Sequence, residues 1–246
     1  MKSVVSFSVV LLSLAAFANA APQQSKRQSA QVFYECTQPN TVAITFDDGP
    51  WEYIYDISKT LTDNGAKATF FFNGDNWGCI YDQEHMDQVK FAYQQGHQVG
   101  SHTWRHADLA TLSTDEVNDE MQRVEQALQR IVGVVPAFMR PPYGSFNQNV
   151  QDVAGARGQS LVIWDFDAGD ANGVPPDQTL TDYNTTISKH PNTILPLNHE
   201  TYDSTAHQVI PQVVDWLKTA GYNMVTVAEC LGMEPYQSVE EPGTPT

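Results

Sequence analysis

Apolar residues along this chain fall into short β-branched and aromatic runs that alternate with longer stretches in which they recur at every third or fourth position. Residues 41–46 form such a run, closed by Asp47-Asp48-Gly49-Pro50, and residues 53–64 behind it predict a helix stopped at Asn64-Gly65. The pairing then repeats. Residues 68–72 predict a strand, 86–95 a helix closed by Gly96, and 98–101 a strand running into His102. Residues 114–132 carry Val117, Met121, Val124, Leu128 and Ile131 on one helical stripe behind a Ser/Thr start. Further on, 137–139, 160–164, 193–197 and 223–227 predict strands, and 148–157 and 205–220 helices. Strands alternating with helices specify a parallel sheet covered by helices. Polar clusters follow the C-terminal ends of these strands and no glycine-rich loop follows the first, which favours an α/β barrel over an open doubly wound sheet. A regular eightfold barrel takes roughly 250 residues, so the expectation is a distorted, incomplete (β/α) barrel.

The N-terminus departs from this alternation. Lys2 precedes an apolar run over 4–17 and then Ala18-Asn19-Ala20, the form of a signal-peptidase site, so residues 1–20 read as a signal peptide and the product as secreted, extracellular or in a cell wall. The run is shorter than the roughly 20 residues that cross a bilayer, and no membrane partner is expected. Lys26-Arg27 reads either as a dibasic processing site, making 21–27 a propeptide, or as a solvated charge pair. Residues 28–246 then form one catalytic domain, expected to be monomeric, with a short polar tail from Glu234 that lacks a hydrophobic terminus.

Charge narrows the partners. The formal net charge of −16 becomes −19 without Lys2, Lys26 and Arg27, which excludes a phosphate-binding surface and hence nucleic acid. A neutral polymer, or one that turns cationic during the reaction, meets no such repulsion. Of three cysteines, Cys36 and Cys230 bracket the domain, and a bridge between them would tie its ends and leave Cys79 as a buried thiol; Cys36 with Cys79 is the other pairing. Asn184-Thr185-Thr186 is an N-glycosylation sequon at a surface position.

The chemistry lies in five clusters. Asp47-Asp48 and, past a later strand, His102 and His106 supply two carboxylates and two imidazoles. Three such groups hold a divalent metal with a position open for water, and the fourth is free to act as a base on that water. If their segment is helical, the four-residue spacing puts both histidines on one face. Arg140-Pro141-Pro142-Tyr143-Gly144 is a rigid segment whose Tyr143 amide suits a developing oxyanion. Trp164-Asp165-Phe166-Asp167-Ala168-Gly169-Asp170 offers acids past a strand, and Leu195-Pro196-Leu197-Asn198-His199 a histidine able to protonate a leaving group. Each alone is an ordinary turn or surface histidine; their joint occurrence at strand ends indicates metal-assisted hydrolysis.

In this order the clusters resemble the carbohydrate esterase family 4 polysaccharide deacetylases, the NodB homology domain, and most of all their secreted fungal chitin-deacetylase branch, over about residues 38–232. The resemblance implies hydrolysis of N-acetyl groups in chitin or chitin oligosaccharides, with zinc, or cobalt or another divalent ion, held by Asp48, His102 and His106. It implies Asp47 as base, Arg140 orienting it, Tyr143 at the oxyanion, His199 as acid tuned by Asp170, and Leu197 and Trp164 around the acetyl methyl. The family's fourth motif commonly reads D-x-x-D-W, whereas Asp170 is followed here by Ala171, which leaves one wall of the acetyl pocket open or supplied from elsewhere. Trp51, Trp77, Tyr81 and Trp104 lie near the motifs; Trp77 is a candidate sugar platform, Trp104 a core residue. Peptidoglycan N-acetylglucosamine deacetylase, acetylxylan esterase and a non-catalytic chitin-oligomer-binding protein are the alternatives. A two-histidine, one-carboxylate iron site would leave the adjacent acid unexplained.

Overall fold

The computed structural model describes residues 29–243, so the signal-peptide and propeptide expectations lie outside the described residues. Eight strands form the main sheet: β1 (Val32–Phe33), β2 (Thr45–Asp47), β3 (Thr69–Phe72), β4 (Gln98–Ser101), β5 (Phe138–Met139), β6 (Ser160–Val162), β7 (Phe166–Asp167) and β8 (Pro196–His199). Their order is β1-β6-β5-β4-β3-β2-β8-β7, and every pairing is parallel. The central strands are covered on both sides, so Thr69, Phe70, Phe71 and Phe72 are all buried, as a parallel sheet under helices requires.

This sheet has to curl. Strands β6 and β7 are six positions apart in the order, roughly 29 Å in a flat sheet at about 4.8 Å per strand. Only residues 163–165 connect them, and four steps of chain reach at most about 14 Å. The two edges therefore face one another across a seam, giving the expected incomplete barrel. Peptide groups at the seam are satisfied by side chains: Arg140 donates to the carbonyls of Val162 (3.1 Å) and Ile163 (2.9 Å), and the Asp165 carboxylate accepts from the Leu195 amide (2.7 Å).

Among the described residues seven α-helices, α1 (Ile54–Asp63), α2 (Gln83–Gln94), α3 (Thr114–Val132), α4 (Gln148–Ala156), α5 (Pro176–Ser188), α6 (Ile210–Thr219) and α7 (Val227–Leu231), complete the alternation. In α3 the Ser113/Glu116 capping box starts the helix and Gly133, at φ 77°, ends it. Several expectations are corrected. Residues 193–197 do not form one strand: Pro196 has no N–H to continue the ladder, so Thr193–Ile194 pairs with Thr41–Val42 in a small parallel sheet and β8 begins anew. Residues 41–46 divide in the same way, Val42 lying in the small sheet and Thr45 in the main one. Residues 223–227 shorten to a strand over Asn223–Met224, because Thr226 caps α7 through its own capping box with Glu229. Helix α5 was not predicted; its buried face is only Thr179, Tyr183 and Ile187, too sparse a stripe to stand out. Within the polar tail, Tyr236–Val239 pairs antiparallel with Val134–Pro136.

Cys36 and Cys230 form a disulfide with Cα atoms 5.1 Å apart, and Cys79 is a free, half-buried thiol rather than a buried one. The bridge ties the chain before the sheet to α7. The first amides of that helix dock on Thr69 Oγ1 (2.9 Å) and Gln98 Oε1 (2.8 Å), replacing partners a helix start lacks. Trp104 is buried, and Asn184 lies exposed on α5. No helix among the described residues is long and apolar enough to cross a membrane.

Candidate active site

Asp47 ends β2 and is the register partner of His199, which ends the neighbouring β8. Partners across a parallel ladder present their side chains to the same face, so the pleat brings the two groups together. The chain then reverses at Asp48, whose φ is 70°. His102 follows β4, its amide bonded to the Phe72 carbonyl at 2.8 Å. The 102–106 segment is not helical, so the condition under which a four-residue spacing shares a helical face is not met. Thr103 (φ 70°) and His106 (φ 54°) instead fold the segment back, so that the two imidazoles meet from a loop with ring centroids 4.9 Å apart.

Donor atoms of Asp48, His102 and His106 all lie within 4.8 Å of one another. Nε2 of His106 is 3.3 Å and Nε2 of His102 is 3.6 Å from Asp48 Oδ1. His102 Nδ1 donates to the Arg140 carbonyl at 2.7 Å, which leaves Nε2 unprotonated; burial holds this imidazole neutral, lowering its pKa to about 3. A lone pair on His102 thus faces a lone pair on Asp48 Oδ1, a buried oxygen without a hydrogen-bond partner. Two acceptors meeting in a buried site are satisfied by a cation between them. Ligands at about 2.0–2.1 Å in a tetrahedral array stand about 3.3–3.4 Å apart, so these separations fit a divalent ion.

Asp47 is held from behind. Its Oδ1 accepts from Arg140 Nη1 at 2.9 Å, and the same nitrogen donates to Thr45 Oγ1 at 2.6 Å. Arg140 is fully buried, its guanidinium lying 4.6 Å from the centre of the Phe71 ring. The other carboxylate oxygen, Oδ2, is 3.6 Å from His102 Nε2. Burial raises the Asp47 pKa, while the charges of Arg140 and His199 oppose the rise. His199 Nδ1 pairs with Asp170 Oδ1 at 2.7 Å. Burial works against its protonated form, but the hydrogen bond and charge of Asp170, with Asp47 and Asp48, raise the pKa to about 9. A carboxyl with raised pKa and a protonated imidazole therefore stand side by side on neighbouring strand ends, lining one cavity with the donor triad.

These groups line a cavity of about 400 Å³ together with Tyr143, Trp164 and Leu197. Tyr143, at φ 61°, stands edge-on to His106 with centroids 4.7 Å apart. Trp77 does not line the cavity; it is 57% exposed and lies 6.0 Å from Trp51, which follows Gly49-Pro50. Sequence reasoning missed Thr45 as the second anchor of Arg140. It also missed Glu200, a buried carboxyl beside His199 whose oxygens have no partner among the described residues and whose pKa burial raises well above the ordinary value. Nothing in the local pattern separates Glu200 from a surface acid.

With this geometry, similarity to known proteins becomes informative. The polysaccharide deacetylase family model matches residues 34–162. A chitin deacetylase of Pestalotiopsis sp. is 38% identical, over 89% of this chain and 74% of that protein. The chitin deacetylase of Colletotrichum lindemuthianum is 35% identical, over 90% of this chain and 92% of its own. Its solved structure superposes with a TM-score of 0.80 at 33% identity, covering 87% of this chain and 96% of that one. Two carboxylates, paired imidazoles and a buried arginine at the mouth of a half-closed parallel barrel are the working parts of a hydrolase, and by fold, motif order and likeness this chain belongs to the polysaccharide deacetylase family.

Proposed function

We propose that the protein hydrolyses N-acetyl groups of N-acetylglucosamine units in chitin or its oligosaccharides, releasing acetate and leaving glucosamine. The observation that carries this reading is the side-by-side pair of Asp47 and His199 with the Asp48, His102 and His106 donor set. A divalent ion held by those three residues, zinc in this proposal, would supply Lewis-acid polarisation of the acetamide and acidify water. Asp47 takes a proton from the attacking water, its raised pKa bringing it nearer the working pH. Arg140 fixes the direction of that carboxylate. The Tyr143 amide donates to the oxyanion, Leu197 and Trp164 receive the acetyl methyl, and His199 gives its Nε2 proton to the departing nitrogen while Asp170 holds Nδ1.

Chitin is favoured as polymer because it is neutral and its product cationic, whereas peptidoglycan is anionic and this chain carries a net charge of −16. The disulfide accords with an oxidising, extracellular setting, in which the protein acts as a monomer. Incubation with N-acetylglucosamine oligomers and quantification of acetate tests the reading. Acetate release that a chelator abolishes and zinc or cobalt restores is expected; oligomer binding without any release would identify a non-catalytic chitin-binding protein instead.

A further inference from the structure

Leu197 and Trp164 form the apolar side of the cavity next to His199. Leu197 is the register partner of Asp167, and the turn Asp170–Asn172 follows directly, so this wall continues from Leu197 through Asp167 to Ala171 and Asn172. There it opens. Ala171 and Asn172 are exposed, and Ala171 offers a single methyl. Asp167 is held toward the turn, its Oδ1 accepting from the Gly169 amide at 2.8 Å.

The turn is anchored through the same carboxylate that orients His199. Asp170 Oδ1 accepts from the Ala171 amide at 2.9 Å and pairs with His199 Nδ1 at 2.7 Å. Oδ2 accepts from the His199 amide and from Thr205 Oγ1, each at 2.8 Å. Gly169 (φ 74°) and Gly173 (φ 75°) bound the turn in a conformation other residues rarely adopt. The opening at Ala171 is therefore held in register with the acid and is not a loop that closes over the substrate.

We propose that the acyl end of the site is open at Ala171, so that the protein removes three- and four-carbon N-acyl groups from glucosamine units as well as acetyl; this rests on the deacetylase reading above. An acyl tail lying on Leu197 and Trp164 lengthens toward the gap left by the Ala171 methyl, between Asp167, whose carboxylate is turned to the Gly169 amide, and the exposed Asn172. The bonds exchanged do not depend on tail length. The water oxygen bonds to the acyl carbon, the carbon–nitrogen bond breaks, and the nitrogen leaves with the proton from His199. The products are a carboxylic acid and a free amine, and no other reactant is consumed.

The test uses glucosamine oligomers fully N-acylated with acetyl, propionyl or butyryl groups, with the metal-loaded wild-type protein and Ala171→Trp, measuring acid and amine released. For wild type, kcat/KM on the butyryl series is expected within about tenfold of the acetyl value. Ala171→Trp is expected to lower the butyryl-to-acetyl ratio by about 10–200-fold, the discrimination a pocket exerts over one or a few methylenes. Acetyl hydrolysis with butyryl more than about tenfold slower in wild type, or a ratio unmoved by the substitution, overturns the proposal while leaving the deacetylase reading intact. No acid from any oligomer, acetyl included, removes that reading as well. Ala171→Leu carries the same ratio test if the tryptophan variant fails to fold.

Discussion

Asp47 shows how one carboxyl is suited to two demands. Burial raises its pKa and Arg140 opposes the rise, so the group stays ionisable yet keeps an affinity for protons. Replacing it with Asn keeps the shape and removes the base: Asp47→Asn is expected to retain one metal equivalent by elemental analysis and to lose at least about 10²-fold in kcat. His199 follows the opposite logic. In the proposed reaction it serves as an acid only while protonated, so activity is expected to fall as pH rises through about 9. In Asp170→Asn the charge that opposes burial is gone and the hydrogen bond is weakened to a neutral one, the pKa drops, and the alkaline limb of the kcat profile should move down toward the ordinary histidine range. An alkaline limb that stays in place in this variant would mean that His199 is not the group being titrated. At this scale residue types and order were legible, because each chemical group sits in a contiguous motif. Thr45 and Glu200 were not, because their roles depend on contacts with residues 95 and 151 positions away in the chain.

At the scale of elements, the loop from β2 into α1 carries Asp48, one of the three donor residues. Gly49 lies against Glu200, so a Cβ there would stand 1.4 Å from Glu200 Oε1 and 2.4 Å from its Cδ. Gly49→Ala must therefore push the turn or the buried carboxyl aside, displacing Asp48. Metal affinity, measured by chelator competition, is expected to fall about 10–100-fold, the scale typical of lost support behind a ligand. An unchanged dissociation constant would show that the loop yields without moving Asp48. Strongly amphipathic elements such as α3 were readable because stripe, cap and stop agree, whereas α5 buries too few apolar groups and β8 is broken by Pro196. The histidine loop taught the same lesson: a spacing of four shares a face only in a helix, but positive φ at Thr103 and His106 achieves the convergence.

For the whole molecule, the curled sheet and the Cys36–Cys230 bridge act together, since the bridge closes a loop of 194 residues. Replacing both cysteines with Ala is expected to cost roughly 2–5 kcal/mol in urea unfolding. Buried histidines set the pH range of stability. His97, inside the fold and bonded to Ser58 and to the Ala68 amide, has its pKa lowered by burial to about 4. As pH falls below about 6.5 the unfolded chain takes up a proton that the native one refuses, so this contribution is present above 6.5 and is lost toward 4. Stability in that window should decline by about 1.4 kcal/mol per pH unit for this group. His97→Gln should flatten the slope by that amount, and an unaltered slope would assign the loss elsewhere. His199 acts in the other direction: its stabilisation is complete below about 6.5 and fades as pH approaches 9. By itself the sequence determined the alternation of strands and helices, the parallel sheet and the chemical kinds at its strand ends, because periodicity and motif order are local properties of a chain. Only the tertiary structure decided where the curled sheet's seam falls, that two histidines converge from a loop, that Arg140 spans the seam to reach Asp47, and that the wall beside Leu197 opens at Ala171. Each of these depends on distances between residues far apart in sequence, which exist only once the chain has closed on itself.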